Sequence, residues 1–427
     1  MKIYRYPQKN EWQEIVRRPM LDYSGLSQTV GQVLEQIRTR KDQALFAYEK
    51  QFDKVELKSL QVSEQEIKSA VASLDKDLKN AIDTSAANIR SFHASQQLQE
   101  HRVETTPGVT CWQRAVGIDR VGLYIPGGTA PLFSTVLMLA IPAKIAGCRQ
   151  RILCTPPNRE GKIHPAILYA AYKAEVSAIY KLGGIQAIGA MAYGTESVPK
   201  VYKIFGPGNQ YVTMAKQLVS LHDVAIDMPA GPSEVMVVAD KSANPRFVAA
   251  DFLSQAEHGR DSQAILLTTD ELLAEAFQTE LNAQLELLPR KEITAESLKH
   301  SKVVVMRDDD EMMELVNEYA PEHLILQTAN YAELAAKVRN AGSVFLGAFS
   351  PESAGDYASG TNHTLPTNGY AKAYNGVNLD SFVRKVTFQE LSREGLRALG
   401  PCIQTMAAAE MLDAHKNAVT VRLNEMQ

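Results

Sequence analysis

Two side chains in the segment LSQAEHGRD have types that suit a metal ion. Asn244-Pro245 can cap a helix upstream and fill its first turn, and Gly259 can stop that helix. Gln255 and His258 would then stand three residues apart on one helix face. A carboxamide and a neutral imidazole can both bind one ion, and imidazole is a common zinc ligand. The motif predicts part of a metal site, with a solvated helix end as the alternative.

The dipeptide Glu322-His323 follows a predicted helix stop at Pro321 and opens the apolar stretch HLILQT. The ends of strands in α/β sheets are where functional sites gather. A carboxylate there can activate water, while an imidazole can carry a proton near neutral pH. The pair is typical of acid/base chemistry, although most such dipeptides are ordinary surface pairs.

A long polar segment, residues 348–378, is rich in Gly, Ser, Thr, Asn and Pro. Long loops of this kind are uncommon unless they are functional, and small residues allow a backbone to approach a ligand closely. Asp356 could complete a metal site and His363 could contact a substrate. A flexible solvated loop is the alternative.

The C-terminal segment is predicted to form one helix that starts after Gly400-Pro401 and continues through TMAAAEMLDAHKNAV. Glu410 and His415 are five residues apart in it. They would therefore lie about 140° apart around the helix and could not share one face. Both could reach a site only if the end of the helix projects into it.

Glycine-rich turns occur at predicted strand ends in YIPGGTAP, KLGGIQAIGA and KIFGPGNQYV. Backbone amides at the start of a helix can bind phosphate. The sequence has no strict GxGxxG, and such turns also serve as plain strand-to-helix connectors, so dinucleotide binding and simple connection both stay open. The same holds for DMPAGPSEV, where Ser233 stands between two series of strands.

The cysteines are scattered without a CxxC pair, which argues against a disulfide framework and a zinc knuckle. We expect buried free thiols. A second possibility is that Cys111 or Cys148 adds to an aldehyde as a nucleophile, because thiolates attack carbonyls readily. The four are Cys111, Cys148, Cys154 and Cys402.

The elements that must position these residues alternate between strand and helix. Residues 23–48 and 63–95 carry helical spacing of apolar residues, so the N-terminal segment should be helical. Two series of parallel strands follow, which suggests a duplicated α/β scaffold. The first series is predicted at 121–125, 151–154, 178–182 and 201–205, and the second at SEVMVVAD, QAILLTTD, KVVVMRDD, HLILQT and SVFLGA.

Composition excludes several classes of partner. The chain has 427 residues, enough for two or three domains, and a net charge of −4 without a basic run. Nucleic acid and anionic membranes are therefore not expected as partners. The N-terminus lacks the apolar core of a signal peptide, and no long apolar run follows. We expect a cytoplasmic protein.

Taken in order, the motifs resemble the histidinol dehydrogenase family from about Val109 to His415. That resemblance implies a zinc-dependent enzyme that oxidises L-histidinol through L-histidinaldehyde to L-histidine, with two NAD consumed per turnover. The stretches that carry it are VGLYIPGGTAPLFSTVLMLAIPAKIAGC, KIFGPGNQYVTMAK, DMPAGPSE, LSQAEHGRDSQ, APEHL, GAFSPESAGDYASGTNHTLPT and AEMLDAH.

The resemblance also implies a role for each site residue. One zinc ion per subunit would be held by Gln255, His258, Asp356 and His415, and these residues with His323 would also face the substrate. Glu322 and His323 would be the acid/base pair. Ser233, His363 and Glu410 would contact the substrate, and Tyr124, Gln186 and Asn209 would line the NAD site.

The implied fold is α/β, with two incomplete Rossmann-like parallel-sheet units. Residues 1–108 would form a helical segment packed on the second unit, and residues 109–232 the NAD-binding first unit. Residues 233–380 would carry the metal and acid/base residues. Residues 381–427 would form a small C-terminal unit that, in a homodimer, reaches into the partner's site with Glu410 and His415.

Two other functions compete with this interpretation. A zinc hydrolase would activate water with the same metal site and a Glu, and would turn over without NAD. A non-catalytic sensor would bind zinc or a nucleotide without consuming an amino alcohol. The hydrolase finds no support in the first α/β unit, and the joint presence of an acid/base pair and a separate metal set argues against the sensor.

Overall fold

The computed structural model describes residues 1–19, 25–128, 130–228 and 231–426. Its strands and helices form two parallel α/β units joined by a small antiparallel sheet. In chain order the strands are β1 (Lys2–Arg5), β2 (Arg102–Thr106), β3 (Val109–Gly117), β4 (Arg120–Tyr124), β5 (Gln150–Thr155), β6 (Ala178–Lys181), β7 (Lys203–Phe205), β8 (Ala225–Ile226), β9 (Glu234–Ala239), β10 (Gln263–Thr268), β11 (Lys302–Val305), β12 (His323–Gln327), β13 (Ser343–Leu346) and β14 (Val383–Leu391).

The helices alternate with these strands through both units. They are α1 (Trp12–Ile15), α2 (Leu26–Tyr48), α3 (Glu64–Ser73), α4 (Lys76–Ala94), α5 (Phe133–Ile145), α6 (Pro165–Lys173), α7 (Gly184–Tyr193), α8 (Gln210–Ser220), α9 (Pro245–Ala256), α10 (Glu271–Leu285), α11 (Lys291–Ser297), α12 (Asp309–Tyr319), α13 (Tyr331–Ala335), α14 (Glu352–Tyr357), α15 (Arg393–Ala409) and α16 (Asp413–Asn424), and Glu49–Asp53 continues α2 as a π-helical turn.

The first unit is a parallel sheet with the strand order β6-β5-β4-β7-β8. Taken along the chain this is the order 3-2-1-4-5 of a Rossmann-like unit, in which ligands bind at the point where the order reverses. That point lies between β4 and β7. Both faces of the sheet are covered by helices, with α4, α5 and α6 on one side and α2, α7 and α8 on the other.

The second unit repeats this order in β11-β10-β9-β12-β13, and β1 adds a parallel strand beside β11. Its central strands are buried on both faces, which explains why they read as continuous apolar runs. The two parallel units expected from the sequence are therefore confirmed. The short strand β1 was not predicted from the sequence.

The N-terminal helices pack on the first unit. Leu34 and Ile37 of α2 lie in one apolar cluster with Ile188 of α7, and Ile82 and Ile89 of α4 belong to the cluster around α5. The prediction that this segment packs on the second unit is wrong for the helices, although residues of β1 and α1 do join the second unit. Helical spacing shows that a helix has an apolar face, but not which surface covers it. The predicted start at Tyr23 lies outside the described residues.

The C-terminal segment is bound to the chain through the antiparallel sheet β14-β3-β2. Its helices differ from the prediction, because α15 begins at Arg393, contains Pro401 and ends at Ala409. A second helix, α16, begins at Asp413. The prediction of one helix after Gly400-Pro401 is therefore wrong, since an N-cap at Ser392 starts the helix earlier.

Candidate active site

Glu322 and His323 lie at the amino end of β12. Helix α12 ends at Tyr319, the following Ala320 has a left-handed conformation, and the strand starts at His323. Both side chains are buried, with 6% and 2% of their surface exposed. The conventional site in such sheets is at the carboxyl ends of the strands. Glu322 and His323 instead lie at the amino edge of the second sheet.

Carboxylates surround the His323 imidazole. Nδ1 lies 3.7 Å from Glu322 Oε2 and 3.8 Å from Glu352 Oε1, and Nε2 lies 3.6 Å from Asp356 Oδ1. Among the described residues neither ring nitrogen has a hydrogen-bond partner. Buried polar groups are normally satisfied, so unpaired nitrogens in such a setting indicate a place for a ligand.

The same crowding changes the charge states. Burial lowers the pKa of His323, but Glu352, Glu322 and Asp356 outweigh it and raise that pKa to about 10. Burial raises the pKa of Glu322 and of Glu352 to about 8 in each case, although His323 opposes both shifts. Burial also acts to raise the pKa of Asp356, but the nearby His323 imidazole lowers it overall. The cluster therefore holds more acidic groups than it can ionise without a cation.

Gln255 and His258 are brought to this cluster by α9. Asn244 caps the helix by accepting from the amide of Arg246, as the sequence predicts. The helix ends at Ala256, so His258 lies in the following turn, where its amide donates to the carbonyl of Gln255 at 3.2 Å. The prediction of a helix that continues to Gly259 is therefore wrong, but the two side chains still point to the same place.

The Gln255 carboxamide is completely buried between two acidic residues. In the orientation that satisfies hydrogen bonding, its nitrogen donates to Glu352 and its oxygen accepts from the amide of Glu234 at 3.0 Å. The amide of Glu234 also donates to Glu322 Oε2 at 2.9 Å. Main-chain and side-chain contacts thus fix Gln255 beside the acid/base pair.

The donor set is suitable for a metal ion. Ligand atoms of His258, Glu352 and Asp356 all lie within 4.8 Å of one another, and Asp356 Oδ1 has no partner in the described structure. Imidazole nitrogen with carboxylate oxygen is a common combination for zinc. Glu352 was not among the residues predicted from the sequence. The signal that could have identified it was its position four residues before Asp356 in α14, on the same helix face.

The polar segment is ordered around His363. Its Nδ1 contacts the carbonyl oxygen of Asp356 at 3.0 Å, and its Nε2 contacts Thr135 Oγ1 at 2.9 Å. Asn362 donates to the carbonyl of Met138 at 2.6 Å. The alternative of a flexible solvated loop is therefore wrong, because buried hydrogen bonds tie this segment to α5 of the first unit.

The candidate cofactor residues line a cavity of about 920 Å³ at the carboxyl edge of the first sheet. Tyr124 is buried and accepts a hydrogen bond from the amide of Gly184 at 3.1 Å. Gln186 is buried at the start of α7, and Asn209 caps α8. This is the volume range of small-ligand sites, at the point where the strand order reverses. Thr129 of the glycine-rich turn lies outside the described residues.

The remaining predicted residues are not all gathered here. The carbonyl of Ser233 accepts from the amide of Gln263 at 3.1 Å, directly before β9. Glu410 and His415 are exposed, with Glu410 at the end of α15 and His415 in α16. The two residues do not share one helix, since a turn separates them, so the predicted angle of about 140° between them is wrong. No described hydrogen bond joins either to the cluster around His323.

Neither candidate thiol is near this cluster. Cys148 is buried and contacts the carbonyl of Phe382, and burial raises the pKa of its thiol to about 11. Cys111 lies in β3, opposite Gln389 of β14. A neutral thiol is a poor nucleophile, so the structure argues against a covalent role for Cys148.

Comparison with known proteins identifies the family. The family model described as Histidinol dehydrogenase matches residues 16–423. The chain belongs to the histidinol dehydrogenase family. It is 64% identical over 427 residues to histidinol dehydrogenase of Bacteroides thetaiotaomicron, with all of both chains covered. It is 52% identical to that of Escherichia coli O6:H1, covering 97% of this chain and 95% of the relative.

A solved structure shows the same fold. The crystal structure of histidinol dehydrogenase from Elizabethkingia anophelis has a TM-score of 0.98 and 54% identity, with 100% of this chain and 98% of that chain covered. The fold of this histidinol dehydrogenase family member is therefore shown along its whole length. Within the described ranges, none of its helices is both long and apolar enough to cross a membrane.

Proposed function

We propose that the protein catalyses the NAD-dependent oxidation of L-histidinol through L-histidinaldehyde to L-histidine, the last steps of histidine biosynthesis. The observation that carries this proposal is the buried Glu322-His323 pair in contact with Asp356, beside His258. Membership in the histidinol dehydrogenase family supports the reaction, and the connection of His363 to Thr135 joins the pair to the unit with the candidate cofactor cavity.

Gln255, His258 and Asp356 of one subunit, with the partner's His415, would hold one zinc ion. When bound, zinc anchors the substrate's nitrogen atoms, and NAD accepts one hydride in each of the two oxidations. The surplus of buried acidic groups around His323 supports a cation at this place. Glu352 fixes the Gln255 carboxamide by accepting its N–H. The carboxamide oxygen is then the atom of Gln255 that can bind the zinc ion.

His323 would act as the base in the first oxidation. Its ring nitrogens are buried and unpaired in the described structure. Burial lowers the pKa of His323, but the surrounding carboxylates raise it to about 10. A cation held by Asp356 would oppose that rise, so that a neutral ring could take the hydroxyl proton of the alcohol as hydride leaves the carbon. Positioned acid/base groups typically contribute about 100- to 10,000-fold to a rate. Ser233, His363 and the partner's Glu410 would orient the substrate.

Glu322 would act in the second oxidation. The aldehyde must add water before it can lose a second hydride, and Glu322 would accept a proton from that water. The proton that His323 took in the first oxidation would pass to the aldehyde oxygen as water adds, which completes the gem-diol and leaves His323 neutral. His323 would then take a hydroxyl proton from the gem-diol as the second hydride passes to NAD, and the carboxylic acid formed would ionise to the carboxylate. Burial raises the pKa of Glu322, which brings a carboxyl group into the range useful for a base near neutral pH.

The proposed assembly is a homodimer in which the C-terminal unit completes the partner's site. Glu410 and His415 are exposed, and the adjoining Met411 and Leu412 expose 86% and 43% of their surface. Exposed apolar groups next to polar ones are typical of protein interfaces. Small-molecule substrates and a cytoplasmic location fit this enzyme, and nucleic acid or membrane partners are not part of the proposal.

The first experiment counts NADH formed per L-histidinol consumed, before and after chelation and again after zinc is restored. Two NADH per histidinol, lost with the metal and regained with zinc, is the expected result. One NADH would mean that the protein stops at the aldehyde and that Glu322 is misassigned. No NADH would contradict the proposal and favour a zinc hydrolase or a sensor, which would need no NAD turnover.

A further inference from the structure

The candidate cofactor cavity lacks an acidic residue at the place where Rossmann-like units usually carry one. In such units an Asp or Glu after the second strand binds the adenosine ribose. Here the second strand of the unit, β5, is followed by Pro156, Pro157 and Asn158, all of which line the cavity. Any carboxylate that binds the adenosine ribose must therefore come from another part of the chain.

Asp53 supplies a carboxylate at that position from the N-terminal segment. It lies at the end of the π-helical turn that follows α2, and among the described lining residues it is the one with a carboxylate. A Cβ atom placed on Gly183 would lie 2.7 Å from Pro156 and 3.4 Å from Asp53 Oδ2. Asp53 is therefore adjacent to the end of β5.

Hydrogen bonds hold this carboxylate and leave a second acceptor beside it. Gln186 Nε2 donates to Asp53 Oδ2 at 3.0 Å and to Glu49 Oε1 at 2.9 Å. Because carboxylates accept these bonds, the amide orientation is determined, and the buried Gln186 Oε1 has no partner in the described structure. Asp53 and Gln186 both line the cavity, so both can offer an acceptor to a vicinal diol, whose hydroxyls both donate.

The carboxyl group that reaches the cavity is that of Asp53, because Asp53 is a lining residue, whereas Glu49 is completely buried and is not among the described lining residues. Burial raises the pKa of both groups, and that of Glu49 to about 8. Lys162 also lines the cavity, but its ammonium contacts Glu160 Oε2 at 3.1 Å. A dianionic 2′-phosphate in this place would meet a carboxylate instead of a basic group, and like charges in contact are strongly unfavourable.

The adenosine half of the cofactor fits this end of the cavity. Phe52, Pro156 and Ile163 form an apolar lining near Asp53 that suits a flat base. Ala130 and Pro131 line another part and lead into α5, where Thr135 contacts His363. The nicotinamide must reach the acid/base centre, so it belongs at that second part.

We propose that Asp53, positioned by Gln186, binds the adenosine-ribose diol of NAD and excludes NADP. This inference rests on the proposed NAD-dependent function. It assigns to the N-terminal helical segment a part in cofactor selection that the first α/β unit does not perform with its own residues.

The test compares NAD with NADP in the wild type, in Asp53→Ser and in Asp53→Asn. The NAD-to-NADP ratio of kcat/KM with L-histidinol should fall by about 10- to 100-fold in both variants, the effect of a hydrogen bond to a charged acceptor. Asp42→Ser is the matched control, since Asp42 lies on the same segment and bonds to the exposed Ser197. Its ratio should not change.

Isothermal titration with NAD and with NADP separates this inference from the proposed function. If the wild type makes no NADH from histidinol, the function fails, but the binding ratio still decides the role of Asp53. Equal losses for both cofactors, or an unchanged ratio in both variants, would overturn the inference, as would a wild type that uses NADP as well as NAD. Asp53→Asn keeps the side-chain size, so it reports on the charge if Asp53→Ser folds poorly.

Discussion

His363 contacts Thr135 across the two α/β units, with Nε2 2.9 Å from Oγ1. Because Nδ1 faces the carbonyl oxygen of Asp356, it must carry the ring proton, and Nε2 then accepts from the threonine hydroxyl. Burial lowers the pKa of His363, which keeps the ring neutral. The Thr135 hydroxyl thus favours one tautomer of His363, a candidate substrate-binding residue, and connects it to helix α5 beside the candidate cofactor cavity.

Thr135→Val should weaken catalysis because it removes this donor without changing the side-chain shape. An unsatisfied buried acceptor costs about 1 to 3 kcal/mol, so we expect kcat/KM for L-histidinol to fall by about 5- to 100-fold. Thr135→Ser keeps the hydroxyl and serves as the control in the same steady-state assay. Equal activity in the two variants would show that the contact has no role in positioning His363.

Glu322→Gln should separate the two oxidations. The amide cannot accept a proton from water, so oxidation of L-histidinaldehyde should fall by about 100-fold or more, and oxidation of L-histidinol to the aldehyde far less. Single-turnover NADH formation from each substrate measures the two steps separately. An equal loss in both steps would remove the role assigned to Glu322.

Glu352→Gln should reduce zinc affinity because Glu352 holds the Gln255 carboxamide and lies next to His258 and Asp356. Loss of such a supporting group typically weakens metal binding by about 10- to 100-fold. Competition with a chromogenic chelator gives the affinity without reference to turnover. Glu257→Gln, in the turn beside His258, is the control and should bind zinc as the wild type does.

Mixed dimers should reveal whether the C-terminal unit acts in the partner's site. His258→Ala and His415→Ala should each be inactive alone. Random re-association of equal amounts should restore about a quarter of wild-type activity, because half of the dimers would contain one intact site of two. Mixtures that stay inactive after verified subunit exchange would show that both residues serve the same subunit's site.

Asp251→Asn should stabilise the protein above about pH 6. Burial raises the pKa of Asp251 to about 6, although a hydrogen bond from Gln327 opposes the shift. A raised carboxyl pKa means that the folded state binds the extra proton more tightly, so the contribution of Asp251 to stability is greatest below about pH 4 and is lost as pH rises through 6. A rise of this size in the pKa corresponds to a loss of about 3 kcal/mol in the free energy of unfolding at pH 7.5, which Asp251→Asn should recover.

Urea unfolding of the wild type and Asp251→Asn at matched protein concentration measures that difference. The gain from the substitution should be near zero at pH 4 and reach its full size above pH 7. The subtraction cancels every other titrating group that the two proteins share. A gain independent of pH would mean that Asp251 has the same pKa in the folded and unfolded states, which would contradict the raised pKa.

Much of the fold could be predicted from local pattern. Strands buried on both faces are continuous apolar runs, so β9, β10 and β12 are visible in the sequence, and Asn244-Pro245 marks the start of α9 correctly. The motifs around His258, His323 and His363 were likewise identified from residue type and spacing. These features depend on the backbone's own periodicity and on short-range hydrogen bonds, which neighbouring residues determine.

Only the tertiary structure decided which distant segments meet. Apolar periodicity in α2 and α4 did not reveal that they cover the first unit, and nothing local showed that Asp53 lies at the end of β5 or that Glu352 contacts Gln255. The acid/base pair lies at the amino edge of its sheet because β12 starts at His323, and the turn after α9 and helix α14 bring His258, Glu352 and Asp356 to the same place. Such meetings depend on the shapes of whole packed surfaces, and residue spacing along the chain carries no information about them.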